Sequence, residues 1–381
     1  MRHKLAAMQI TLENMSEKTV GFAIIGCGAI GPWHASAIAH APGARLVAVA
    51  DAQRERAQNL VAAHRAETRE LGQSETAPAV YTNPKSLLKR DDVDVVCICV
   101  PSGAHAAVGI EVARAGKHIV TEKPLEITLE KIDALLAATR ENNVKLAAIF
   151  QRRFFDNAQR IKAEIERGKL GKILQCDCEV KSYRSQAYYD SGDWRGTWAL
   201  DGGGCLMNQG VHGVDLMQWF GGPVAWVQAW CGTTARKNIE VETQAMAILG
   251  FKNGAHGTLQ GSTVCYPGEP VTNQIYGSKG SASLRDTELG NWKFLKETAA
   301  DKTMMETAND LPQTNFHGAS HLPQIVDMVE CVRTGKEPAC SGDDARHAVE
   351  IILAIYESAR RGGEKIDLPL EKDFPARGFP K

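Results

Sequence analysis

The chain has 381 residues, of which 44% are hydrophobic and 23% charged, with a formal net charge of −1. That length allows two domains and a substantial core, the balanced charge gives no global field to recruit nucleic acid or an anionic membrane, and no apolar run reaches the ~18 residues of a membrane span. Residues 1–19 are mixed and charged, without the apolar stretch of a secretion signal, and read as a flexible arm; the ten cysteines are scattered at spacings that match no zinc or redox motif, which points to reduced core thiols, no metal and a cytoplasmic protein.

The first element is an apolar strand, Phe22 to Ile25, followed by Gly26-Cys27-Gly28-Ala29-Ile30-Gly31. This is a G-x-G-x-x-G, and Pro32 fits the first helical turn, where its missing N–H costs nothing. A second strand, Leu46 to Ala50, ends in Asp51, at about 20 residues from the last glycine, the separation of a ribose-binding acid from a dinucleotide loop. Gly26 permits the tight turn, Gly28 lets backbone approach a pyrophosphate, Gly31 lets helix and strand pack closely, and Ala29 and Ile30 lead into the helix whose free N–H groups face the phosphates. Asp51 argues for NAD over NADP, because its charge repels a 2′-phosphate; Arg54 and Arg56 are the counterweight.

Residues 52–64 read as a helix, 65–79 as a polar loop and 84–90 as a short helix. Val93 to Val100 is a buried strand ending in Pro101-Ser102-Gly103-Ala104-His105, a loop that should face the cofactor from the carboxyl edge of the sheet. His105 is either a cofactor contact or a packing residue of the following helix, 104–115. Strand 118–121 runs into Glu122-Lys123-Pro124 at the same edge, which favours a site role. Helix 128–142 and strand 144–150 complete a doubly wound parallel sheet over 20–150, an α/β Rossmann domain.

Residues 151–381 change character. A helix over 156–168 precedes strands over 172–183, 224–234, 243–251, 255–264, 271–277 and 280–285, with Lys252-Asn253-Gly254 joining a hairpin. Residues 286–315 read as polar and irregular, and helices at about 320–334 and 343–361 close the chain. This predicts an α+β domain with a large, mostly antiparallel sheet. Within it, Asn208, His212 and Asp215 lie at i, i+4 and i+7, one polar stripe if the stretch is helical. Gly210 and Gly213 each cost a helix ~1 kcal/mol relative to alanine, which argues for close packing or ligand approach.

Several of these motifs carry a resemblance: the glycine loop with His34, Pro101-Ser102, Glu122-Lys123-Pro124, Gln151-Arg152-Arg153-Phe154, Trp194-Arg195-Gly196-Thr197-Trp198, Gly202-Gly203-Gly204 and Gly342-Asp343-Asp344-Ala345-Arg346. Together they resemble the Gfo/Idh/MocA family of nicotinamide-dependent sugar and polyol oxidoreductases over nearly the whole chain after residue 19. The resemblance implies that His212 and Lys123 are the acid/base and hydroxyl-holding pair, in either assignment, and that Asn208 and Asp215 position substrate or His212. It also implies that Glu122, Gln151, Trp194 and Arg195 reach the cofactor with Lys123, and that one sheet face serves a homodimer or homotetramer. Many members carry Asp four residues before the histidine. Asn208 departs from that pattern and is similar to the nucleotide-sugar-acid 3-dehydrogenases.

The reading is an NAD-dependent dehydrogenase oxidising a ring carbinol of a sugar. Lys123, Arg153, Arg184, Arg195, Asn208 and His212 are the substrate contacts, and Arg152 and Lys181 add to a basic cleft that suits an acidic or nucleotide-linked pyranoside. Two alternatives stand beside it. A sugar–sugar oxidoreductase or redox-assisted glycosidase would hold NAD tightly and release no NADH. A non-catalytic NAD-binding regulator would have no use for both Lys123 and His212.

Overall fold

The computed structural model describes residues 19–73, 77–310, 316–371 and Phe379. The arm expected over 1–19 lies, but for Thr19, outside them. β1 (Val20–Ile25) is buried at every position, as a strand with layers on both faces must be. It sits between β2 (Ala44–Ala50) and β4 (Val95–Ile98) in a six-stranded parallel sheet, which adds β3 (Ala79–Tyr81), β5 (His118–Thr121) and β6 (Leu146–Ala148) in the order β3-β2-β1-β4-β5-β6. The order reverses between β1 and β4, so the loops leaving their carboxyl ends diverge and open a crevice. The glycine loop and the Pro101–His105 segment both border it.

Helices Gly31–His40 and Arg54–Glu70 pack together, as do His105–Arg114 and Leu129–Glu141. Leu322–Thr334 follows the second sheet in sequence yet packs beside Gly31–His40, where Ile325 and Met328 join Phe22, Ile24 and Ile38 in one buried cluster. A larger cluster runs from Leu135 and Leu136 through Ile352 and Ile355 to Val227 and Leu249, so the two sheets share a continuous core.

The second sheet has eight strands in the order β13-β12-β11-β7-β10-β9-β8-β14. These are β7 (Ile173–Lys181), β8 (Val224–Gly232), β9 (Gln244–Phe251), β10 (His256–Ser262), β11 (Thr272–Gly277), β12 (Gly280–Arg285), β13 (Glu288–Phe294) and β14 (Ile366–Asp367). Only β7 and β10 pair in parallel; β9 and β10 form the expected hairpin. Helices Val211–Gly221 and Gly342–Arg360 cover one face. On the other, Trp230 pairs with Met246 and Gln228 with Ile248, and Trp230, Met246 and Ile248 are exposed. Among the described residues no helix is long and apolar enough to cross a membrane. All ten cysteines are unpaired and nine are buried.

Four local expectations are corrected. The helix begun near 52 runs to Glu70: Ala57, Leu60, His64 and Thr68 are buried at helical intervals, so the polar residues after 64 are its solvent face. Strand β13 lies inside the stretch read as irregular. Ser283 pairs with Asn291 but Leu284 with Leu289, and this bulge puts buried Leu289 and Trp292 three apart, which hides the period of two. Helix Ala299–Thr307 follows, announced by a capping box of Thr298 and Asp301. The stretch carrying Asn208 and His212 is not one α-helix: Cys205–Gly210 forms a π-helical turn before the α-helix Val211–Gly221.

Candidate active site

A cleft of about 910 Å³ follows the switch point and extends beneath the second domain. Of the predicted cofactor residues, Gly26, Gly28, Ala29, Ile30, Asp51, Pro101, Ser102, His105, Glu122, Lys123, Trp194 and Arg195 line it, and Asn208 closes its inner end. Gly26 has φ +96°, and a Cβ there would stand 2.5 Å from the Cys99 carbonyl oxygen. Gly31 serves packing behind the wall, since a Cβ would meet the Gly26 carbonyl oxygen at 2.8 Å. At Gly28 a Cβ would meet nothing within 4 Å, so its missing side chain is the cleft's own space. No side chain caps helix Gly31–His40, which leaves its first turn to an anion. Asp51 accepts from Cys27 N through Oδ2 and from Gln53 N through Oδ1, each at 2.8 Å, fixing the carboxylate at the cleft margin. A dinucleotide fits this wall: the phosphates meet bare backbone and the ribose meets an oriented acid.

His105 resolves toward packing. Its Nδ1 faces the Pro124 carbonyl oxygen at 2.8 Å and its Nε2 that of Val100 at 2.9 Å, which ties the two cleft loops together. Glu122 borders the cleft, but its Oε1 is shared by Nε2 of His34 (2.9 Å) and of His321 (3.1 Å). Burial opposes its charge; the hydrogen bonds from His321 and His34 prevail and hold its pKa well below the ordinary carboxylate value. These three are the one group of metal-ligating type among the described residues. Each ring N–H points at the same oxygen, the geometry of hydrogen bonds.

The inner end carries the chemistry. Lys123 Nζ donates to the main-chain oxygen of Asn208 at 3.1 Å. Burial lowers the Lys123 pKa below the ordinary lysine value; Arg184 and Arg195 push the same way while Glu122 and Asp201 oppose. Burial, then the charges of Lys123 and Arg152, hold His212 well below its ordinary value, so the ring is neutral at pH 7. Arg195 Nε, in the cleft wall, and His212 Nδ1, on a ring that feels the Lys123 charge, are buried without a partner; neither His212 nor Gln151 is among the residues that line the cleft. Buried polar atoms are normally paired, so the unpaired Arg195 Nε is a place for a ligand atom.

Two predicted members lie elsewhere. Arg153 and Asp215 are buried against each other, with Nε–Oδ2 at 2.7 Å and Nη2–Oδ1 at 2.6 Å, and Arg153 Nη1 reaches Asp344 at 3.3 Å. The stripe reading failed here because the helix turns Asp215 toward the 151–154 turn rather than the cleft. Of the other basic residues, Arg152 is paired with Asp286 and Lys181 with Glu179. Arg195 and Arg184 form no ion pair among the described residues. The Arg195 guanidinium lies between the rings of Tyr188 (4.3 Å) and Trp194 (4.5 Å), and Arg184 flanks Tyr188 at 5.3 Å.

Sequence reasoning missed three residues. Tyr188 Oη accepts from Arg195 (2.7 Å) and Gln209 (3.1 Å). Glu242 is fully buried and takes Gly204 N (2.7 Å), Leu206 N (2.9 Å) and Tyr356 Oη (2.7 Å), anchoring the turn that launches the π-helical segment. Asp201 accepts from Asn208 Nδ2 at 2.8 Å and from Gly196 N at 2.9 Å. It immediately precedes Gly202-Gly203-Gly204, the one signal that could have marked it.

Comparison with known proteins identifies the family of both domains. Residues 20–150 match a family model described as an oxidoreductase family with an NAD-binding Rossmann fold, and 158–283 match a GFO/IDH/MocA C-terminal domain. The WlbA dehydrogenase of Bordetella pertussis, solved in complex with NADH and UDP-GlcNAcA, is 31% identical; the match covers 93% of this chain and 100% of that one, with a TM-score of 0.79. A myo-inositol 2-dehydrogenase of Thermotoga maritima is 26% identical over 92% of this chain and 98% of its own length. A scyllo-inositol 2-dehydrogenase (NAD(+)) of Bacillus subtilis is 27% identical over 91% of this chain and 96% of its own.

Proposed function

The chain belongs to the Gfo/Idh/MocA family and is an NAD-dependent sugar or polyol oxidoreductase, and we propose that its substrate is an anionic pyranoside, a sugar acid or nucleotide-linked sugar oxidised at a ring carbinol. When bound, NAD supplies the two-electron oxidation. The chain supplies the rest. The glycine loop and Asp51 fix the dinucleotide, and Trp194 and Arg195 close over the cleft. Lys123 Nζ, held on the Asn208 carbonyl, donates to the reacting hydroxyl and stabilises developing alkoxide charge. Neutral His212 offers its unpartnered Nδ1 to the hydroxyl proton. The lowered pKa of Lys123 favours a second assignment, with the lysine as proton acceptor and His212 as hydrogen-bond partner.

One observation carries the anionic preference: Arg195 lines the cleft with a buried, unpartnered Nε and no ion pair among the described residues. A guanidinium fork in that state suits a carboxylate or phosphate. The similarity to a dehydrogenase solved with UDP-GlcNAcA supports the same reading. The test compares kcat/KM for a nucleotide-linked uronic acid with that for its neutral analogue at low and high salt. The acid should win, and its advantage should persist in salt because Arg195 is partly enclosed; an equal or better neutral sugar contradicts the proposal. The exposed sheet face bearing Trp230, Met246 and Ile248 is the expected contact between copies, and sedimentation of Met246→Lys should yield monomer if so.

A further inference from the structure

Asn208 cannot ionise, yet the site does not lack a carboxylate. Asp201 is 2% exposed and lies directly behind the asparagine. Its Oδ1 accepts from Asn208 Nδ2 at 2.8 Å, its Oδ2 accepts from Gly196 N at 2.9 Å, and the Asn208 main-chain oxygen accepts Lys123 Nζ at 3.1 Å. Asp201 thus holds the Asn208 side chain and the turn after Arg195, while the main chain of the same Asn208 holds the lysine. We propose that Asp201 is a positioning residue that supplies the site's negative charge from the second layer, and that Asn208 is the residue required to carry it. The inference rests on the dehydrogenase reading of Lys123 and His212.

The residue type at 208 follows from hydrogen-bond chemistry. An aspartate there would bring two carboxylates within hydrogen-bond distance, and such a pair cannot both ionise. Asparagine has the same shape and donates instead. The charges around the pair are arranged accordingly. The Glu122 and Asp201 charges favour the Lys123 ammonium, and those of Arg184 and Arg195 disfavour it. Asp201 faces Lys123 and Arg195, and His212 faces Lys123, Arg152, Glu122 and His321. Burial prevails and holds the Asp201 pKa above the ordinary carboxylate value, although its two hydrogen bonds and the Lys123 and Arg195 charges favour the ionised form. Removing its charge leaves the Lys123 ammonium to be favoured by Glu122, and Glu122 is already shared between two histidines.

The test is a charge swap. Asp201→Asn, Asn208→Asp and the double variant Asp201→Asn/Asn208→Asp are made, with folding and NADH binding checked. The Lys123 pKa is read by NMR on lysine labelled at Cε, with Lys123→Met to assign the signal. Asp201→Asn should lower the Lys123 pKa further and cut kcat ~10- to 100-fold, the scale of a displaced catalytic geometry, with little change in KM. Asn208→Asp should add an ionisation to the kcat profile near neutrality, as one carboxyl of the pair holds a proton. The double variant restores one carboxylate and one amide in reciprocal contact, and should recover the Lys123 pKa and most of kcat. An unchanged Lys123 pKa in a folded Asp201→Asn, or a double variant no better than the worse single one, overturns the proposal. Because the NMR readout needs no substrate, a wild type without sugar oxidation would break the dehydrogenase reading while leaving this inference decided on its own.

Discussion

The two ends of the cleft are built on different principles. At the switch point the functional atoms are main-chain: the turn at Gly26, the bare face of Gly28 and the uncapped start of helix Gly31–His40. At the inner end they are side chains, Lys123, His212, Arg195 and Asn208; Lys123 is held by a residue 85 positions away, and Arg195 and Asn208 by residues seven positions away across turns. Backbone recognition tolerates change in its surroundings but not in its glycines. Side-chain catalysis depends on a supporting layer that can be changed one charge at a time. Binding and turnover should therefore separate by mutation.

The largest effect should come from the inner end. His212→Ala and Lys123→Met should each lower kcat by ~10²–10⁴-fold, the usual cost of losing an acid/base group, with NADH affinity nearly unchanged by fluorescence titration. Lys123→Met should also raise the melting temperature, since burial disfavours the ammonium it removes. Near-normal rates in both variants would erase the contrast. Asp215→Ala comes next and sharpens it. Removing one partner from the buried Arg153 pair should cost about 3–5 kcal/mol of stability in denaturant titration. A folded, stable Asp215→Ala with abolished turnover would return Asp215 to the catalytic set.

At the other end, Gly28→Ala should leave stability intact, because the added Cβ meets nothing within 4 Å, but weaken NADH roughly tenfold or more by filling the phosphate space. Equal NADH affinity would remove the dinucleotide from that wall. The smallest effect is on pH. The pKa of His212 is depressed in the folded state, as are those of His34, His64 and His118. The unfolded chain therefore binds these protons first as pH falls through the ordinary value of 6.5. These rings should therefore cost stability below that value, while the buried Glu242 carboxyl, pushed up to about 7, acts in the opposite direction over the same range; a His212→Ala variant whose melting temperature shifts between pH 7.5 and 5.5 as the wild type's does would contradict the burial of that ring.

The same contrast governs how much the sequence revealed. The Rossmann half was legible because its function is written in spacing: glycines, a strand end and an acid at fixed intervals. Strand β5 and the Glu122-Lys123-Pro124 turn were placed for the same reason. The inner end was half legible. Lys123 meets Asn208, and its charge reaches His212, but the α-helical stripe that linked Asp215 to them assumed a regular helix, and a π-helical turn and a buried arginine intervene. Asp201, Tyr188 and Glu242 act through hydrogen bonds across turns and between segments, and apart from the glycine run that follows Asp201 no motif announces them. The basic cleft was overcounted because sequence shows cations and not the carboxylates that neutralise Arg152, Arg153 and Lys181.

Selection of an anionic sugar by Arg195, which has no ion pair among the described residues, is read from the ratio of kcat/KM for a nucleotide-linked uronic acid to that for its neutral analogue, measured in the wild type and in Arg195→Met. The ratio should stand well above one and fall toward one in the variant, with NADH affinity changed far less. A wild-type ratio at or below one, or a ratio that Arg195→Met leaves unmoved, would contradict it.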